Sequence, residues 1–447
     1  MSNNDQSQGK TPAYAWVILG IVYLLSVAAA MLWFSCPPMA NNIIETYIIG
    51  PAVGAAMAAS GGAANPEEVI AGLNINADFG MLMTLVAIGT IISSVVAIFA
   101  QNKLGIKWIL VIAAAFLLAG GIMSAVSGSD YTVLSAARFV IGLGIGFVAL
   151  SATTAVSMWF ADDRRAFAIA LWATWVPVSV LIEYNIIVPL ATGAGDFHNT
   201  WWVLTVLAAI ALVLCLFAYR MPPASGQISN EASSLADGMK FIKKRQVICL
   251  MLCMFFYNFV SHGFTTFNPS FFTDAVELGG MGWDDGFANL IASIATASGI
   301  IAPIFGLIYD RIPFKNKYRM IIIGAIGYVL ACLLGFKNLG MAVFGAYMVC
   351  MILANGVMVA TLRSMMPMLV GRGGVTAVTL GLAFFTILEF GGQLFTNFYG
   401  LAMDVMGYSG ASLAVGVPVA CLLVISAFLV KPDQELIEAN EHAPAHH

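Results

Sequence analysis

The chain alternates long apolar runs with short polar interruptions, and the lengths of the runs decide what they are. A helix needs about 20 mostly apolar residues to cross a bilayer. Twelve runs qualify, at 14–38, 78–100, 106–127, 132–158, 166–192, 201–220, 246–270, 287–309, 318–337, 341–366, 374–400 and 408–430. The longest charged interruption opens with Pro222-Pro223 and closes on Lys240, Lys243, Lys244 and Arg245. It divides the chain into a six-helix bundle over 1–220, a linker over 221–245 and a second six-helix bundle over 246–430. A polar tail over 431–447 is expected to be disordered. Between the first two runs, residues 51–64 are too broken by Ala and Gly to cross, and 67–73 is expected to form a short helix. The linker segment 231–245 is expected to form an amphipathic helix with Leu235, Met239 and Ile242 toward the membrane.

Composition agrees. Of 447 residues 60% are hydrophobic and 9% charged, against roughly 25% charged in a soluble domain, so the chain is an integral membrane protein in a lipid bilayer. A net charge of -4 without a basic stripe gives no support to nucleic-acid binding. The seven cysteines fall in or beside apolar runs and read as small buried hydrophobes. Lysine and arginine collect on one side of the twelve runs, Lys103, Lys107, Arg164, Arg165, Arg311, Lys315, Arg363 and Arg372 among them, leaving Lys337 on the other side. The positive-inside rule then places both termini in the cytoplasm, and the expected location is the inner (cytoplasmic) membrane.

Three motifs carry a family resemblance. The fourth run begins Arg138-x-x-x-Gly142-x-Gly144-x-Gly146, with glycines spaced to let helices approach closely. After the eighth run stand Gly306, Asp310, Arg311 and Lys315, with Pro313 in place of a second glycine. The corresponding loop after the second run is more degraded: Ile98 and Asn102 replace the glycine and the aspartate, while Lys103, Gly105 and Lys107 remain. Trp159-Phe160 leads into Arg164-Arg165. With six plus six spans, these features resemble the major facilitator superfamily. The resemblance implies an all-α fold of two pseudo-symmetric bundles that rock to alternate access. It also implies spans 1, 4, 7 and 10 around a central cavity, flanked by 2, 5, 8 and 11, and a gating loop in which Asp310 and Arg311 latch one state.

The ionisable residues deep in the runs are Arg138, Glu183, His262 and Glu389, the candidates for substrate binding or proton coupling. Such groups are costly in a membrane and mark function by default. At ~1.5 Å per residue, Arg138 and Glu183 lie at similar depth on adjacent helices, so an ion pair is expected, structural or functional. A carboxyl group in an apolar cavity can take up and release a proton within the physiological range; Glu183 and Glu389 could do this, contact a cationic substrate or bond a neighbouring helix. His262 could bind an anion, relay a proton or simply join two helices. Trp33, Tyr257, Asn258, Asn355 and Gln393 are candidate cavity-lining residues, and Arg363 is expected to snorkel. No ATP-binding loop, Ser/His/Asp set or metal-ligand cluster stands out, so transport driven by a gradient is expected, without enzymatic activity, cofactor or metal. The expected function is proton-coupled secondary transport of a small polar organic solute, favouring an organic anion such as a carboxylate, by a monomer. An efflux pump for amphipathic or cationic compounds is the alternative, and a non-transporting sensor or assembly partner the second.

Overall fold

A computed structural model describes residues 12–160, 162–221, 235–370 and 374–441, and among these it is helical with no strands. Pro222-Pro223, Arg372 and the terminal histidines lie outside the described residues, as do the side chains of Asn102, Arg165 and Leu235. Spans one to six run over Ala13–Phe34, Ile75–Leu104, Ile106–Ala125, Tyr131–Ser157, Phe167–Gly193 and His198–Ala218. Spans seven to ten run over Arg245–Thr273, Asp285–Arg311, Tyr318–Leu334 and Met341–Val370. The last two are continuous from Leu380 to Leu429, turned at Gly407, whose φ of 71° only glycine adopts without strain. The chain thus forms twelve transmembrane helices in two pseudo-symmetric six-helix bundles. The face carrying the chain ends is called here the terminal face, the opposite one the distal face.

The helices contain wider π-turns, and proline accounts for three of the four among the described residues, Leu214–Ala218 being the exception. Ile44–Ile49, Glu183–Ile187 and Ser412–Gly416 each stand just before a proline (Pro51, Pro189, Pro418). A proline brings no N–H to the ladder, and the helix absorbs the missing bond by inserting one residue.

Three expectations need correction. The first span, expected to reach residue 38, ends at Phe34, and residues 37–59, which include the stretch read as too broken by Ala and Gly to cross, are helical throughout. They do not cross the membrane. The stretch leaves the distal end of the first span and returns to the distal start of the second, while Tyr47 bonds Ser127 (2.5 Å) and His198 (2.9 Å) in two distal loops. The linker helix Leu235–Ile242 turns Ile242 into the protein, packed along the eleventh span, not toward lipid. The tail is ordered as far as Gln434–Glu441: Asp433 accepts a bond from Gln246 (2.9 Å) and Leu436 is buried. Residues 442–447 lie outside the described part.

Hydrogen bonds between the halves gather toward the distal face. Asn185 of the fifth span bonds Ser293 of the eighth (2.9 Å), and Asn289 donates to the Pro38 carbonyl (3.1 Å). Spans two and eleven meet backbone to backbone: a Cβ on Gly400 would stand 2.1 Å from the Asn76 carbonyl oxygen. At the top of this seam Asp404 of the eleventh span accepts from Asn76 N, Asn76 Nδ2 and Ala77 N, each at 2.9 Å. One half therefore caps the N-terminus of a helix in the other with a carboxylate, where the helix dipole favours negative charge. These contacts hold the two halves together at the distal face. Asp404→Asn removes a charge worth about 1 kcal/mol at a helix end. It should enlarge the distally open population several-fold, read as longer distances between spin labels on the distal ends of spans two and eleven; unchanged distances would exclude the cap as a latch.

Candidate functional site

The first span ends at Phe34 because the next turn has nothing to hold it. The carbonyls of Trp33 and Phe34 would ordinarily accept from residues 37 and 38, which are prolines. Arg138, fully buried in the fourth span, reaches into this gap. Its Nη2 donates to the Trp33 carbonyl (2.6 Å) and approaches Met83 Sδ (3.4 Å); Nη1 donates to the Leu32 carbonyl (2.5 Å) and Ser35 Oγ (3.2 Å). Nε completes the set on the Leu82 carbonyl (3.4 Å). A guanidinium has five N–H donors, and every one has a protein partner here. Trp201 Nε1 also donates to Ser35 (3.0 Å), tying in the sixth span. Glycines make the approach possible: a Cβ on Gly142 would meet the Val86 carbonyl oxygen at 2.2 Å. Arg138, expected to bind substrate or couple protons, is instead a cap on the broken first span.

Glu183 is therefore not held in the expected ion pair. It opens the π-turn of the fifth span with no exposed surface, and neither carboxyl oxygen has a hydrogen-bond partner. Arg138 acts on it only through space. Glu389, its counterpart in the second half, is paired instead with Arg363 of the tenth span, the residue expected to snorkel. The Arg363 side chain of that pair is 50% exposed and that of Glu389 17%.

Above the pair the site closes with rings from both halves. Trp33 of the first span stacks on Phe34 (4.5 Å between centroids) and on His262 of the seventh (5.5 Å), and tilts against Phe390 of the eleventh (5.2 Å). Trp33 is 6% exposed and His262 7%, so solvent access falls steadily from Arg363 to this roof. Trp33 Nε1 and His262 Nδ1 have no partner. On one wall Tyr257 donates to Asn355 Oδ1 (2.5 Å), Tyr328 joins the same oxygen (3.3 Å), and Asn355 Nδ2 donates to Ser298 (2.7 Å). Two expected lining residues point elsewhere. Asn258 donates to the Met254 carbonyl of its own helix (3.0 Å), against Gly392, and Gln393 is fully buried, donating to the Met83 carbonyl across the two halves (3.2 Å).

A model of the Major Facilitator Superfamily matches residues 39–386. The chain belongs to that superfamily. This facilitator is a secondary transporter and not an enzyme. It is 24% identical to protein spinster homolog 3 of Danio rerio over 207 residues, 42% of either chain, so the match spans less than half of that relative. It is 26% identical to the agnestins efflux protein AgnL12 of Paecilomyces divaricatus over 310 residues, 69% of this chain and 67% of the other. Among solved structures, a bacterial homolog of the human lysosomal transporter Spinster, inward-facing and unoccupied, superposes with a TM-score of 0.70 at 14% identity, covering 98% of this chain and 100% of that one. Asp310 and Arg311, the last two residues of the eighth span, are exposed. Lys317, unremarked in the sequence, donates to the Tyr309 carbonyl (2.7 Å) and caps that helix.

Sequence reasoning passed over Ser35, Phe390 and Ser298. Phe390 is one residue from a glutamate already singled out, and Pro37 announced the free Trp33 carbonyl, one of the two that Arg138 caps. Lysine has three donors in a different geometry. Arg138→Lys should cost about 2–4 kcal/mol of stability, seen as a lowered melting temperature in detergent with solute affinity of the folded fraction retained. Unchanged melting with lost binding would return Arg138 to the substrate site.

Proposed function

We propose that this facilitator moves a small organic anion together with a proton, in the inner membrane with its termini in the cytoplasm. The observation that carries the reading is the Arg363–Glu389 pair at the exposed edge of the site. A guanidinium binds a carboxylate in the same two-pronged way whether the carboxylate belongs to the protein or to a solute. A solute anion thus competes with Glu389 for Arg363, and a proton on Glu389 ends the competition. Anion and proton then bind together, which is the elementary requirement of symport. Glu183 is the second proton site: it is sealed in this state and would exchange its proton when the distal seam opens and admits water. An agnestins efflux protein among the relatives favours export as a second reading of direction; the same site would then load from the terminal face and release distally.

Purified protein in proteoliposomes under an imposed pH gradient tests this. Carboxylate flux should follow the proton gradient. Glu389→Gln should keep solute binding and counterflow but lose acceleration by acid, with gradient-driven flux down at least about tenfold, the effect of ~1.4 kcal/mol. Glu183→Gln should likewise abolish gradient-driven flux and spare counterflow. If both variants retain full gradient-driven flux, proton coupling through these acids is wrong; extrusion of lipophilic cations in place of anion flux would sink the anion reading.

A further inference from the structure

We propose that the solute is an aromatic, or similarly planar and conjugated, carboxylate whose ring lies against Trp33 and Phe390 with its carboxylate on Arg363. The inference rests on the anion reading above and goes further by fixing the shape of the anion.

Three features of the site converge on a ring. Residues 389 and 390 are consecutive on the eleventh span, so the acid paired with Arg363 and the ring facing Trp33 lie at nearly the same depth, on faces about 100° apart. Tyr257 donates to Asn355 on the tenth span, the span that carries Arg363, and His262 is five residues farther along the seventh span, ~7.5 Å toward the roof. A solute that touches both guanidinium and roof has about the length of one substituted six-membered ring. The roof offers flat surfaces drawn from both halves: Trp33 and Phe34 from the first span, His262 from the seventh, Phe390 from the eleventh. Aromatic faces favour other rings over saturated groups of equal area.

The unpartnered polar atoms describe the far end of the solute. Trp33 Nε1 and His262 Nδ1 are more than nine-tenths buried and without a hydrogen bond, an arrangement that is costly to leave empty. The indole nitrogen can only donate, and a neutral imidazole can donate from either nitrogen. A ring substituent with an acceptor oxygen satisfies them. Polyols are poorly served, because Tyr257 and Asn355 already satisfy each other and Ser298. A cationic aromatic would meet the half-exposed Arg363 first, against like charge.

The test is equilibrium binding to the purified full chain in nanodiscs, with benzoate, 4-hydroxybenzoate, cyclohexanecarboxylate, acetate and benzylamine as probes. Benzoate should bind about three- to tenfold tighter than cyclohexanecarboxylate, as ring stacking would provide, and 4-hydroxybenzoate tighter still. Phe390→Leu should erase the preference for the aromatic over the saturated ring while carboxylate binding persists. Trp33→Phe keeps a ring but removes the N–H, and should erase only the advantage of the hydroxyl. Equal binding of acetate, cyclohexanecarboxylate and benzoate overturns the aromatic inference and leaves the anion reading intact. Preference for benzylamine overturns both. A hydroxyl advantage that survives Trp33→Phe overturns the placement of the ring's far end at the indole.

Discussion

Pro37 and Pro38 bring no N–H to the end of the first span, and a bilayer offers no water in exchange. The carbonyls left behind at the distal end of a helix are where its dipole is negative, and a buried cation is the natural complement. Arg138 supplies it, holding the Leu32 and Trp33 carbonyls while also gripping Leu82 and Met83 of the second span. The consequences extend past stability. Trp33 is fixed through its own backbone, so the ring that faces His262 and Phe390 is positioned by the guanidinium beneath it. Gln393 of the opposite half docks on the Met83 carbonyl of the same assembly. One of the bonds that join the halves thus rests on this cap.

That arrangement divides the labour between halves related by pseudo-symmetry. Glu183 and Glu389 occupy matching spans, five and eleven, yet their surroundings differ. Glu183 is enclosed without a partner, its nearest cation already engaged on backbone oxygens; Glu389 holds a half-exposed arginine. The first half thus contributes a capped platform and an enclosed acid, and the second half an ion pair whose arginine is half-exposed. A repeat that began with two similar bundles can specialise in this way because a single substitution of partner, Arg363 in reach of one acid and none in reach of the other, changes the chemistry without changing the fold.

Apolar run length was enough to read the spans, because the cost of an unpaired backbone group in lipid leaves no alternative to a helix. It misjudged residues 37–59 because that stretch is anchored by side chains far away in sequence, Ser127 and His198, which no local pattern announces. The site was legible as a set of residues and not as a set of partners. Depth along adjacent helices suggested pairing Arg138 with Glu183, but depth carries no azimuth, and the prolines had already created a stronger claim on the guanidinium. Arg363 was read as snorkelling because its distance from the helix end was visible and its facing acid, 26 residues on, was not.

Two carboxylates bracket the transport cycle. Asp404 is engaged in the present state, capping a helix of the opposite half, while Asp310 on the terminal face is exposed. Opening the distal side must break the Asp404 cap and part Trp33 from His262 and Phe390, which also brings water toward Glu183. A ligand shifts such an equilibrium only by binding the two states unequally. A solute lodged beneath the roof touches the first span through Trp33 and the eleventh through Phe390, so it senses their separation directly. On the proposed reading its charge sits on Arg363, whose release from Glu389 follows protonation of that acid. The coupling between solute and conformation therefore runs through the rings, and the coupling between solute and proton runs through the ion pair. Because residues 389 and 390 are neighbours on one helix, a movement of the eleventh span carries both the acid and the ring with it.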